Sequence, residues 1–190
     1  MPYDVDAARG LAAILFTQGS EAWLHAQTTA RRAEQICAVV GPVDRDVLVC
    51  AAWLHDVGVV PVAVRTGFHP LDGAHLLREA GWPERVVALV AHQCEARVTA
   101  AALGLELDLL PFRREEGALT DALVYADLAT GPDGRRMSLR ERLDDIGRRH
   151  ADDPPSLRAA WERRRVALVA AVARTEQRMA GMHRRAKAGV

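Results

Sequence analysis

The sequence predicts an all-α fold, one bundle of packed helices that ends in a long C-terminal helix. Two observations carry this. No segment sustains the alternation of apolar and polar residues that marks a half-buried strand, and Ala, Leu, Arg and Glu recur at helical spacing throughout.

A weak first helix is expected over about residues 4 to 16, and Gly19-Ser20 offers an N-cap for a longer one running to about Val40, before Gly41-Pro42. His25 falls in its first turns. Asp44 is placed to cap the next helix, whose run Val47, Leu48, Ala51, Leu54 and His55 turns the histidine inward until Gly58 breaks the helix. The segment from Val59 to Phe68, with Pro61 and Gly67, reads as a loop. Pro70 suits the first turn of a helix ending at Gly81, with His69 just before it.

Pro83 opens a further helix to about His92, followed by a mixed stretch of helix and loop around Leu103 to Leu110. From Glu115 another helix carries Leu119, Ala122, Leu123 and Asp127, and Gly131-Pro132-Asp133-Gly134 stops it. Ser138 can cap a helix to about Arg149. Pro154-Pro155-Ser156 precedes the last helix, to about Arg185, and the tail HRRAKAGV is expected to fray.

With 190 residues, 49% of them apolar, the chain can bury one sizeable core, and no repeat or long linker divides it. The 25 basic and 25 acidic side chains cancel. No long-range field then draws in a nucleic-acid polymer or an anionic membrane, and any phosphate recognition must be local. Three cysteines, odd in number and without close spacing, argue against a disulfide framework. The start MPYDVDAARG has no basic segment leading into an apolar run, and no stretch of about 18 residues is apolar without charges. A soluble, cytoplasmic protein is the expectation; its oligomeric state is left open.

The chemistry concentrates in a few residues. His55-Asp56, within AAWLHDVG, joins an imidazole to a carboxylate at the end of an apolar helix, where an unpaired charge is costly to bury and a cation removes the cost. Adjacent helical residues diverge by about 100°, so the pair can serve one ion only where the helix ends. His25 from another helix and Asp127 from a third complete a mixed nitrogen and oxygen ligand set with room for water.

In this ordering of His25, the LHDVG element around His55-Asp56 and the YAD element ending at Asp127, the sequence resembles the HD superfamily of metal-dependent phosphohydrolases. The resemblance extends to His69 in HPLDGAHLL and His92 in VALVAHQ and covers about residues 20 to 135, leaving a helical extension over about 138 to 185. It implies a helical bundle with the metal in its core. His25, His55, Asp56 and Asp127 would surround a first divalent transition ion (Mn, Fe, Co or Ni), and Asp56 would bridge to a second held by His69 and His92. Where some relatives carry two consecutive histidines, this chain has His92-Gln93. The GYP signature of cyclic-dinucleotide phosphodiesterases is also absent, the chain continuing CEARVTAAALG.

The activity implied is hydrolysis of a small phosphorylated, nucleotide-like substrate through a metal-activated water, with Asp56 as the catalytic residue that positions or deprotonates it. Arg65 and Thr66, in the loop between the metal elements, could meet the substrate phosphate. Two rivals remain: a mixed-valence diiron oxygenase of the same residue order, and a non-catalytic module that binds a nucleotide. His75, about 120° round the helix from His69, is set aside, as are His150, His183, Cys94, Arg135-Arg136 and the arginines at 163 to 165, which read as solvated charges or packing residues.

Overall fold

The structure, a computed structural model, describes residues 3–187. They form nine α-helices linked by turns and by two longer connections, 55–68 and 104–117: α1 Val5–Leu15, α2 Glu21–Ile36, α3 Arg45–Leu54, α4 His69–Glu79, α5 Glu84–Ala91, α6 Ala96–Leu103, α7 Ala118–Leu128, α8 Leu139–Arg149 and α9 Pro155–Lys187. Apart from one isolated bridge between Thr130 and Arg136, no extended pairing occurs among the described residues. The all-α expectation stands.

Local chemistry accounts for most of the boundaries. Asp4 and Ser20 cap α1 and α2 by accepting from Ala7 and Trp23 amides. Ser138 and Glu141 form a reciprocal capping box at α8. Asp44 departs from expectation: it precedes α3 but makes no capping bond, because Arg85 on α5 takes its carboxylate. The helix from Glu115 starts later, at Ala118, after Gly117 at φ 128°. The tail expected to fray stays helical to Lys187, and its last three residues lie outside the described part.

Helix α3 forms the centre, with every residue from Val47 to Leu54 buried. It packs against α1, α2, α5 and α7. Alanines at the contacts (Ala8, Ala12, Ala26, Ala30, Ala33, Ala51, Ala52) let the helix axes approach closely. A second, smaller core forms where α8 and α9 meet α7, from Val124, Leu128, Leu143, Trp161, Leu168, Ala171 and Val172. The candidate site lies between these two cores.

Two local features shape that site. Residues 84–103 form one apolar run by composition, but Cys94 (φ 46°) and Glu95 (φ 56°) both adopt left-handed backbone and split it into α5 and α6. Gly58, expected to end a helix, serves instead for backbone contact. A Cβ there would lie 1.9 Å from the His69 carbonyl oxygen and 2.6 Å from the Gly73 nitrogen. The tight turn Val57–Val59 therefore rests directly on the first turns of α4.

Candidate metal centre

Side chains from α2, the end of α3 and α7 come together in one region. His25 lies just beyond the first turn of α2, and its Nδ1 donates to the carbonyl of Gly131, 2.9 Å away. Gly131 opens the Gly-Pro-Asp-Gly turn. Gly134 of that turn has φ +77° and sits so near Leu24 that a Cβ would meet the Leu24 carbonyl oxygen at 2.7 Å. A turn that reads in the sequence as a helix stop thus also sets the orientation of His25.

His55 follows the last residue of α3, and its Nδ1 donates to the Ala52 carbonyl at 2.9 Å. Its own carbonyl accepts from the side-chain amide of Gln93. Asp56 has already left helical backbone (φ −102°, ψ 12°). The two neighbouring side chains consequently converge instead of diverging. Asp127, in the last turn of α7, accepts from the Cys94 thiol through Oδ2 at 2.9 Å and turns Oδ1 to His25.

Both histidine Nδ1 atoms are committed as donors, so both Nε2 atoms are left as acceptors, and they face each other 3.2 Å apart. Asp127 Oδ1 lies 3.1 Å from His25 Nε2. Asp56 Oδ2 lies 3.7 Å from His25 Nε2 and 3.4 Å from His55 Nε2. Such a meeting of electron-rich atoms calls for a shared cation. An ion about 2.1 Å from each ligand sets neighbouring ligands about 3.0 Å apart at right angles and about 3.4 Å apart at tetrahedral angles. The separations among His25, His55 and Asp56, from 3.2 to 3.7 Å, are close to these values, Asp127 approaches this group through His25, and carbonyl-anchored imidazoles are the usual support for metal-ligating histidine.

Without an ion, a proton fills the same role. Burial opposes charge on His25, but the hydrogen bond to Asp127 and the charges of Asp127 and Asp56 outweigh it and raise its pKa. Burial also works against the charge on both carboxylates. For Asp56 the charges of His55, His69 and His25 prevail, and for Asp127 the His25 hydrogen bond leads, so both are held below the usual carboxylate range.

The remaining expected residues divide. His69 begins α4, with Nε2 3.5 Å from Asp56 Oδ1, the oxygen not turned to His25 and His55. Its side chain is half-exposed, but to a concave cleft rather than open solvent, and desolvation there lowers its pKa. His92 does not reach the cluster. Its Nε2 donates to the Phe112 carbonyl at 2.8 Å, and it lines a separate cavity of about 590 Å³ with Arg97, Leu109, Phe112 and Arg113. The second-ion pair expected from the sequence is thereby reduced to His69 and Asp56.

Arg65 and Thr66 also sit elsewhere than expected. Arg65 pairs on the surface with Glu79. Thr66 gives its amide and hydroxyl to the carboxylate of buried Asp72, each at 2.8 Å. Both are spent within the protein, holding the loop that leads into His69.

What the sequence reading left out lies across the cluster. A cleft of about 340 Å³ opens over Asp56, His69 and Asp127, and its far wall carries Arg142 and Arg149 from α8, His150 just after it, and Arg164 from α9. Arg142 is buried, with one Nη 3.5 Å from Asp127 and its Nε without a partner. A signal for two of these was present. Arg164 follows Trp161 by three positions and precedes Leu168 by four, and Arg142 adjoins Leu143. Both arginines share the apolar register of their helices, so reading the run at 163 to 165 as wholly solvated was wrong for its middle residue.

A family model for the HD domain matches residues 23–153, well over half of the chain, from the first turns of α2 to beyond α8. No curated protein and no solved structure matches it. The converging histidines and carboxylates thus fall inside the matched segment, and the chain belongs to the HD domain family, the superfamily of metal-dependent phosphohydrolases.

Proposed function

We propose that the protein is a metal-dependent phosphohydrolase acting on a small phosphorylated, nucleotide-like substrate. The observation that carries this reading is the facing pair of bare Nε2 atoms on His25 and His55, flanked by Asp56 and Asp127 at the floor of an arginine-lined cleft.

His25, His55, Asp56 and Asp127 would hold the ion. What a divalent ion supplies when bound there is polarisation of a phosphoryl oxygen and a lowered pKa for water. The rest falls to the chain. Asp56 stays ionised at neutral pH because the histidines around it favour its charge, which suits it to orienting water through an accepted hydrogen bond more than to storing a proton. His69, with its pKa lowered, is neutral near pH 7 and offers Nε2 beside Asp56 as a proton acceptor or as one ligand of a second ion. The arginines of the far wall draw in the phosphate and keep it oriented.

The proximity of His69 to the outer oxygen of Asp56 keeps a diiron oxygenase as the second reading. That reading gains little from His92, whose Nε2 is given to Phe112.

The test is turnover of a panel of phosphomonoesters by chelated protein, with and without added Mn, Co, Ni or Fe, alongside metal analysis of the purified chain. Metal-dependent phosphate release that disappears in Asp56→Ala is the expected result. Unchanged turnover in metal-free protein defeats the proposal. Iron near two per chain with oxygen consumption on a phosphonate or polyol transfers the assignment to the oxygenase.

A further inference from the structure

Among the arginines around the cleft, Arg164 differs in its partners. Arg142 and Arg149 share the carboxylate of Asp145, with Arg148 as a third claimant. Glu95, near Arg164, is engaged by Arg114. Arg164 itself, set among the cleft residues, pairs with no carboxylate among the described residues. Its Nε donates to the Cys94 carbonyl at 2.9 Å and its Nη1 to the Thr99 hydroxyl at 3.1 Å. Two neutral acceptors fix the plane of the guanidinium, and its Nη2 is left without a protein acceptor.

A guanidinium taken from water without a counter-charge is costly, and burial lowers its pKa here. Its charge reaches His69 across the cleft, where it disfavours protonation of the imidazole. The two carboxylates on the opposite wall, Asp56 and Asp127, face the histidines and would be neutralised by a divalent ion. The cleft then holds an unmatched positive charge, fixed in orientation, opposite the metal ligands. Around it stand Phe68, Leu128, Ile146 and Leu168. The volume of about 340 Å³ is near the lower end of ligand pockets, which run from roughly 300 to 1,000 Å³.

We propose that Arg164 is the phosphate-recognition residue of this cleft, and that the ligand is a compact phosphomonoester whose body, no larger than a nucleoside, lies against the apolar wall. This rests on reading the cleft as the substrate site of the phosphohydrolase. It replaces Arg65 and Thr66 in that role. The structural alternative is that Arg164 only ties α9 to the α5–α6 break through Cys94 and Thr99.

Binding of inorganic phosphate to the protein loaded with Mn, measured by calorimetry, separates the two. Arg164→Gln keeps hydrogen-bonding capacity without charge and is expected to weaken binding roughly tenfold or more, the worth of one charge-assisted hydrogen bond. Arg163→Gln, altering an exposed neighbour that faces the other cavity, should bind as the unaltered protein does. Equal affinity in folded Arg164→Gln and the unaltered protein overturns the proposal.

Should Arg164→Gln fail to fold, modification of the unaltered protein by phenylglyoxal decides. Phosphate is expected to slow modification at Arg164 and not at Arg163, read by mass spectrometry of the peptides, and absence of protection overturns the proposal. A nucleoside monophosphate should compete for the phosphate site, and competition by a cyclic dinucleotide defeats the size limit. The two readings fail separately. Phosphate binding that depends on Arg164, without turnover of any ester by metal-loaded protein, counts against catalysis alone; turnover with Arg164-independent binding counts against this inference alone.

Discussion

The side-chain amide of Gln93 donates to the main-chain carbonyl of His55, across the junction between α5 and the end of α3. A residue that stands where some HD proteins carry a second histidine thus supports a ligand of the first site from behind. Gln93 is buried, and so is the carbonyl it satisfies.

Gln93→Ala therefore leaves a buried carbonyl short of a donor and frees the backbone at His55. We expect a loss of about 1–3 kcal/mol in chemical unfolding and weaker metal binding, by roughly tenfold or more, since supports of this kind typically cost that much when removed. Metal affinity equal to that of the unaltered protein would show that Gln93 does not position His55.

Gly58→Ala places a methyl group against the backbone of α4 at His69 and Gly73. No side-chain movement relieves a clash with backbone, so the turn and helix must separate. A destabilisation of about 3 kcal/mol or more is expected, together with loss of the His69–Asp56 approach. A melting temperature within one degree of the unaltered protein would contradict the contact.

The raised pKa of His25 has a sign in stability. Its contribution to the metal-free fold is complete below the unfolded value of about 6.5 and is lost as pH climbs through the higher folded value. His69 and His92, with lowered pKa values, act oppositely and favour the fold above about pH 6.5. Comparing metal-free protein with His25→Gln isolates the first effect: the stability difference between them should shrink as pH rises above about 6.5. A difference that stays constant or widens would refute the protonated His25–Asp127 pair. Metal must displace that proton, so metal affinity should rise over the same interval.

Arg65 and Asp72 should separate the loop's structural work from substrate contact. Arg65→Ala removes an exposed pair with Glu79 and is expected to leave KM and stability unchanged within error. Asp72→Ala removes the buried carboxylate that gathers Thr66 and Gly67. It should cost about 2–3 kcal/mol and disturb metal binding through His69. A raised KM in Arg65→Ala with unaltered folding would restore Arg65 to the substrate site.

Helix positions and the grouping of His25, His55 and Asp56 were legible because they rest on local signals. Ser20 and Ser138 announce their helices, and His25, His55-Asp56 and Asp127 carry a residue order with a physical meaning. The misplaced residues depended on distance in three dimensions. Nothing local tells that Arg85 will take Asp44 away from α3, or that Phe112, twenty positions on, offers its carbonyl to His92. Gly58 was noticed for its backbone freedom, whereas its use is contact with a helix whose position no local pattern reveals. Arg142 and Arg164 were hidden by composition: within charged runs they read as solvated, and only their register beside Leu143, Trp161 and Leu168 marks them as inward-facing.

His25, His55, Asp56 and Asp127 lie between α2 and α7, and the arginines across the cleft from the two carboxylates belong to α8 and α9. On the proposed function, reactivity and selectivity would be carried by different stretches of chain, joined at α7 through the smaller core. Such a division would let the C-terminal helices change without disturbing the residues that would hold the ion. A change of preferred ester would then require substitutions in α8 and α9 alone, leaving the reaction centre as it is.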